Sequence, residues 1–150
     1  MSSDLCPRRR FLQVVASGGV LAGAASLGVG CGNGLSGTYS GGNVSSYAVG
    51  SLTALQTAPL AVGRDEQGVY AMSLICTHSG CEMNSQGSVS EQGIACFCHG
   101  SQFDANGNVL RGPASSPLQH YQVTIDASGA VSIDADVSVD ESTRTPVTTG

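Results

Sequence analysis

The sequence predicts an antiparallel all-β fold, and three observations carry that reading. Short runs of alternating or β-branched residues recur at regular spacing, each closed by Gly, Asn, Asp or Ser in turn positions. No segment shows a convincing helical period; residues 52–57 are the one place where a turn or two of helix is expected. Two of the apolar runs lead straight into clusters of cysteine and histidine, so those clusters belong on loops grown from strand ends.

From Tyr47 onward the pattern is β. Leu60-Ala61-Val62 and Val69-Tyr70-Ala71-Met72-Ser73-Leu74-Ile75 flank Asp65-Glu66-Gln67-Gly68, which has the composition of a hairpin turn. The second of these strands runs into Cys76. Ser88-Val89-Ser90 and Gly93-Ile94-Ala95 bracket another turn and deliver Cys96. Asn106-Gly107-Asn108 turns the chain between Phe103 and Val109-Leu110, because Asn and Gly accept the backbone conformations of tight turns. His120-Tyr121-Gln122-Val123-Thr124-Ile125 alternates cleanly, turns at Ser128-Gly129 and resumes as Val131-Ser132-Ile133. His120 itself reads as a partly exposed strand residue, outside any ligand cluster. Residues 136–150 are polar and are expected to fray as a C-terminal tail.

Length and composition bound the rest. With 150 residues, no tryptophan and 21 glycines, one domain is expected, over residues 47–135. Residues 1–31 stand apart: three arginines, Arg8, Arg9 and Arg10, precede Phe11-Leu12 and an uncharged run through Val29, the layout of an export signal. Arg8-Arg9 with Phe11-Leu12 resembles a twin-arginine signal, a route that carries folded proteins; an ordinary secretory signal or a transmembrane helix is the alternative. The run reaches the short limit of about 18 residues for a spanning helix, diluted by Gln13, Ser17 and Ser26. Gly28-Val29-Gly30-Cys31 resembles a lipoprotein cleavage site, with Cys31 as the candidate lipidated residue, although Gly28 stands where such sites usually carry Leu. Cleavage there and retention as a membrane anchor both stay open. Either way the expected place is the bacterial cell envelope, membrane-anchored, with the domain on the periplasmic side. Residues 32–46, rich in Gly, Ser and Asn, read as a flexible linker.

The formal net charge is −5, from six basic and eleven acidic residues; losing Arg8, Arg9, Arg10 and Asp4 by cleavage at Cys31 leaves three against ten, or −7. Such acidity excludes the basic footprint of a nucleic-acid binder. It suits docking to a basic carrier such as a cytochrome.

Four of the six cysteines lie in two boxes, while Cys6 precedes the arginines and Cys31 ends the apolar run. The first box reads Cys76-Thr77-His78-Ser79-Gly80-Cys81 and the second Cys96-Phe97-Cys98-His99-Gly100-Ser101-Gln102-Phe103. Six candidate ligands thus compete for the four places of a metal site. Zinc sites take paired ligands from spacings such as C-x2-4-C, whereas one residue separates Cys76 from His78. A structural zinc site, or two unrelated disulfides in a small secreted domain, are the other readings these residues allow.

At every diagnostic position the boxes resemble those of the Rieske iron–sulfur proteins, C-x-H-x-G-C and C-x-C-H-G-S-x-Y/F. The resemblance covers most of the chain after the linker. It implies a [2Fe-2S] cluster, with Cys76 and Cys96 on one iron, His78 and His99 on the other, and Cys81 disulfide-bonded to Cys98. It implies the architecture too: a β-sandwich base carrying a small cluster-binding subdomain, whose two loops form the tip. Mixed ligation has its reason in charge. Two thiolates neutralise an oxidised core of two ferric ions and two sulfides; four would leave it negative and reluctant to accept an electron. Rieske centres accordingly span roughly −150 to +300 mV, against about −400 mV for plant-type ferredoxins.

The resemblance also assigns the tuning residues. Gly80 and Gly100 let backbone amides approach the sulfides, and Ser101 matches a serine that donates a hydrogen bond to one of them, favouring the reduced state. Phe103 stands where high-potential members carry a tyrosine, so a potential below the top of the Rieske range is expected. Gly112-Pro113 opens a loop that matches the cover on the third side of the cluster. Ser79 departs from the leucine of quinol-oxidising members and makes the tip more polar.

No nucleophile, general base or catalytic residue is evident. What the resemblance implies is one-electron transfer, foremost as the iron–sulfur subunit of a quinol–cytochrome c reductase-like complex, with a membrane-bound cytochrome b or cytochrome c partner and quinol as the candidate reductant. Two alternatives stand beside it: a small subunit of a periplasmic molybdenum oxidoreductase of the arsenite oxidase type, docked to a molybdopterin subunit, and a free-standing lipid-anchored carrier.

Overall fold

The computed structural model describes residues 34–147. Residues 1–33, with the expected export signal at Arg8 and Arg9 and the candidate lipidation site Cys31, lie outside them, as do the last three residues. Among the described residues no helix is long and apolar enough to cross a membrane.

The described chain is all-β. Its strands are β1 (Thr38–Asn43), β2 (Leu52–Ala54), β3 (Leu60–Asp65), β4 (Gly68–Ser73), β5 (Gly87–Ser90), β6 (Gly93–Cys96), β7 (Gln102–Phe103), β8 (Val109–Arg111), β9 (His120–Ile125) and β10 (Ala130–Val139), with one 3-10 turn at Val44–Ser46. Every ladder is antiparallel. Six strands form the base sheet in the order β1-β10-β9-β4-β3-β2, and four form a smaller sheet in the order β5-β6-β7-β8. The hairpins expected at Glu66-Gln67, Glu91-Gln92 and Ser128-Gly129 are present, and Asp65 and Asp126 close two of them by accepting backbone N–H bonds.

What joins the sheets is a strand buried on both faces. All six residues of β4 are buried. Side chains of a strand alternate sides, so Val69 and Ala71 enter one core with Leu60, Val62, Val123, Val131 and Ile133. Tyr70 and Met72 enter the other, against Ile94, Phe103, Met83 and Leu118 beneath the small sheet. At about 1.5–3 kcal/mol for each large apolar side chain removed from water, these two cores drive the fold.

Several expectations are corrected. Residues 38–46 are no linker: β1 pairs along β10 from Thr38↔Asp134 to Asn43↔Ala130. Their glycines are packing and bulge positions. A Cβ on Gly41 would stand 2.8 Å from the Val131 side chain, and Gly42, at φ +75°, sits at the shift in register. Residues 52–54 form strand, not helix, because the edge of β3 offers them a ladder.

Nor does the polar C-terminus fray from residue 136. β10 runs on to Val139, and Thr145 exchanges backbone hydrogen bonds with Val69 at 2.9 and 2.8 Å. Arg144 is the clasp. Its Nε donates to Asp65 at 2.6 Å, another guanidinium N–H donates to the Asn106 side chain at 2.8 Å, and its charge lies 4.0 Å from the centre of the Tyr70 ring. Burial raises the Asp65 carboxyl, but Arg144 and the amides of Gln67 and Gly68 outweigh that and hold it below its ordinary range.

His120 is buried rather than partly exposed, because it stacks on Tyr70 with centroids 5.9 Å apart and sits within hydrogen-bond reach of the Asn106 carbonyl. Burial holds this imidazole below its ordinary value of 6.5; Arg144 lowers it further, while the Asn106 carbonyl and the carboxylates of Glu141 and Asp140 push the other way. Since the folded value lies below the unfolded one, the unfolded chain takes up a proton that the folded chain refuses. The stabilising contribution is complete above pH 6.5 and is lost as pH falls toward the folded value. Replacing His120 with Phe is expected to flatten the pH dependence of the denaturation midpoint in that window; an unchanged slope would assign it to other groups.

Candidate metal centre

Strand alternation continues past the end of β4 and delivers the first box. Tyr70, Met72, Leu74 and Cys76 share the side facing the small sheet, and all are buried in one core. From β6, Ile94 and Cys96 reach that core by the same alternation. Cys76 and Cys96 are the free cysteines among the described residues, 3% and 2% exposed.

The two loops that follow are built alike. The Cys76 N–H donates to the Cys81 carbonyl at 2.8 Å and the Gly80 N–H returns to the Cys76 carbonyl at 2.8 Å. The Cys96 N–H donates to the Ser101 carbonyl at 2.8 Å and the Gly100 N–H returns to the Cys96 carbonyl at 3.0 Å. The return bond needs a left-handed residue at the fourth place after each cysteine. Gly80 at φ +75° and Gly100 at φ +82° supply it, which gives these glycines a backbone reason.

The loops are then locked to each other and to the cover. Cys81 and Cys98 are disulfide-bonded. The Ala114 N–H donates to the Ser101 hydroxyl at 3.0 Å, and the Thr77 hydroxyl donates to the Ser116 carbonyl at 2.7 Å. Thus the loop opened by Gly112 and Pro113, joined by a cis bond, is tied to both boxes. Ser101 is fully buried and accepts the Ala114 bond, which leaves its own hydrogen available to a neighbour. Phe103, 1% exposed, packs in the same core as Cys76 and Cys96 and offers no hydroxyl.

His78 and His99 are exposed, edge to face, with ring centroids 4.8 Å apart; the Ser79 hydroxyl lies 3.1 Å from His78 Nδ1. The sulfurs of Cys81, Cys96 and Cys98 fall within 4.8 Å of one another, yet two of the three are spent in the disulfide. What remains is a buried pair of thiols and an exposed pair of imidazoles. Burial pushes the Cys96 thiol up, the amides of Cys98 and His99 oppose this, and Cys76 beside it pushes up further. A metal ion held by thiolate ligands offsets such a burial penalty. The donor set fits an iron–sulfur group.

Sequence reasoning missed the Thr77–Ser116 bond, the Arg144–Tyr70–His120 cluster and the exposure of Phe97. The first two depend on contacts between distant segments. Phe97 carried a signal, an aromatic between two box cysteines, but its direction was not legible.

An all-β domain with paired Cys/His loops closed by a disulfide defines the class, that of small iron–sulfur domains. A family profile described as Rieske [2Fe-2S] domain matches residues 42–122. The chain belongs to that family, and its cofactor is a [2Fe-2S] cluster. Curated relatives include the cytochrome b6-f complex iron-sulfur subunit of Synechococcus elongatus, 48% identical over 61 residues, which are 39% of this chain and 33% of that protein. That of Parasynechococcus marenigrum is 41% identical over 64 residues, 43% of this chain and 35% of that protein. The matches therefore span about a third of the relatives' length. Among solved structures, the plasma membrane Rieske protein PetC3 from Synechocystis PCC 6803 is similar at a TM-score of 0.49 and 24% identity, covering 64% of this chain and 98% of that one. The ferredoxin of carbazole 1,9a-dioxygenase from Nocardioides aromaticivorans IC177 has a TM-score of 0.47 and 24% identity, with 66% and 98% covered.

Two outcomes follow from this geometry. The disulfide joins cysteines 17 residues apart, and a loop of that size is worth about 3 kcal/mol. Replacing Cys81 and Cys98 together with Ser is expected to lower stability by that order in chemical denaturation; a negligible loss would mean that the cover-loop bonds suffice. Phe103→Tyr is expected to raise the reduction potential, because a hydroxyl there could donate to Cys76 or Cys96, which share its core. An unchanged potential with an intact spectrum would show that the hydroxyl finds another partner.

Proposed function

We propose that this chain passes single electrons as the iron–sulfur subunit of a membrane cytochrome complex of the quinol-oxidising, cytochrome b6-f or quinol–cytochrome c reductase type. One observation carries the reading: two buried cysteines and two exposed histidines gathered on loops that one disulfide closes. Cys76, Cys96, His78 and His99 would hold the [2Fe-2S] cluster. The cluster supplies a site that accepts and releases one electron. The protein's residues set the terms of that exchange. The buried core around Cys76 and Cys96 keeps water from the sulfur side, where a charge is least welcome. The amides of Cys98 and His99, which donate toward the Cys96 sulfur, and the free hydrogen of the Ser101 hydroxyl would stabilise the reduced form. His78 and His99, exposed at the tip, offer the route by which an electron, with a proton on an imidazole nitrogen, reaches a partner. The names of the curated relatives support a cytochrome complex as that partner, and the export-like N-terminus supports a place on the periplasmic face of a membrane.

The test has two arms. Redox titration followed by circular dichroism is expected to give a Rieske spectrum with a potential inside roughly −150 to +300 mV and below its top. A colourless, zinc-loaded protein would end the reading. Affinity purification of the full chain from native membranes is expected to bring down a b-type cytochrome; recovery with a molybdopterin subunit instead would move the chain to the other class of complex.

A further inference from the structure

Ligation by Cys76, Cys96, His78 and His99, together with the Cys81–Cys98 disulfide, would account for the box cysteines and histidines, and it leaves Phe97 between them without a role. Phe97 is 69% exposed, more than Leu110, Val49 or Val137, the other large apolar residues exposed among those described. A phenyl ring in water is costly. It is also held firmly: the Phe97 N–H donates to the Gln86 carbonyl at 2.9 Å, Cys96 before it is buried, and Cys98 after it is disulfide-bonded. A ring mounted on so fixed a loop loses little freedom when a partner covers it.

Its surroundings specify the partner. Neither box, nor residues 112–117 of the cover, contains a charged residue other than histidine. The body behind is acidic, with ten Asp and Glu against three Arg in residues 34–147. Two of those arginines are spent inside the domain: Arg64 donates to the Tyr47 carbonyl at 2.9 Å, and Arg144 is paired with Asp65. The result is a tip whose boxes and cover carry no charge of their own, flanked by the exposed Glu82 and Arg111, bearing one exposed aromatic on a net negative body.

We propose that Phe97 is the anchor by which this domain docks on its electron acceptor, and that the acceptor is a protein with an apolar face ringed by basic side chains. The proposal rests on the electron-transfer reading of the same site. Division of labour follows from range. The acidic body steers a cationic partner at a distance, and the ring supplies the short-range, desolvated contact that holds the complex together.

The experiment is stopped-flow oxidation of the reduced full chain by a cationic c-type cytochrome, with an anionic copper protein as the comparison acceptor. Phe97→Ala is expected to lower the second-order rate constant with the cytochrome about tenfold, the equivalent of about 1.4 kcal/mol, while Phe97→Tyr retains most of it. Circular dichroism spectrum and potential should stay as in the parent, and the salt dependence should keep its slope, since no charge has changed. On the unmodified chain, hydrogen exchange at residues 96–100 should slow when the cytochrome is bound. An unchanged rate in Phe97→Ala, equal rates with the anionic acceptor, or no protection of residues 96–100 would each overturn the proposal. So would a self-association that Phe97→Ala abolishes, which would make a second copy of the chain the occupant. If the parent carries a cluster but oxidises with neither acceptor, the electron-transfer reading fails along with it; if transfer persists and only the Phe97 effects are missing, the docking proposal fails alone.

Discussion

The two-sided burial of β4 is the constraint on which the rest of the structure depends. A strand has two faces and a period of two, so burying both forces its odd and even residues into different cores. Val69 and Ala71 hold the base together, while Tyr70 and Met72 hold the small sheet onto the base. Because the same alternation runs through Leu74 to Cys76, the register that satisfies the cores also decides which way the first cysteine points. Slipping that register by one residue would turn Cys76 out of the core that Cys96 shares.

Beyond the strand ends, precision comes from short polar links rather than from area. Each box closes on itself through two backbone bonds and a left-handed glycine, and the boxes are joined by the disulfide. Ser101 and Thr77 then fasten the cover loop to one box each. Neutral bonds of this kind contribute about 1 kcal/mol apiece. Their larger effect is positional, because three loops that could move separately become one assembly. The Arg144 clasp works likewise at the other end of the small sheet, tying the C-terminal segment to Asp65, Tyr70 and Asn106 at once.

The site's asymmetry is chemical as well as spatial. Cys76 and Cys96 are buried in an apolar core, and burial pushes the Cys96 thiol up. Imidazoles need no such protection and are left in solvent, where a partner can reach them. In the proposed docking, a net negative body behind a tip whose boxes carry no charge would separate long-range attraction from close contact.

Fold class, hairpins and the family of the two Cys/His boxes were legible in the sequence because they depend on local chemistry: alternation along strands, turn residues between them, and cysteine–histidine spacing within a few residues. Residues 38–46 misled because glycine has two opposite uses. In Gly41 its lack of a side chain makes room for Val131, whereas in a linker it merely adds freedom, and composition does not distinguish the two. Residues 136–147 misled because polar side chains usually mean solvent, and only the fold brings Arg144 to Asp65 and Tyr70. The same holds for His120, whose burial is set by its neighbours across the sheet. Local sequence thus suffices for the class of fold and for the kind of cofactor. The tertiary structure decided which cysteines are buried, which histidines are exposed and which way Phe97 faces, because those depend on contacts between segments far apart in the chain.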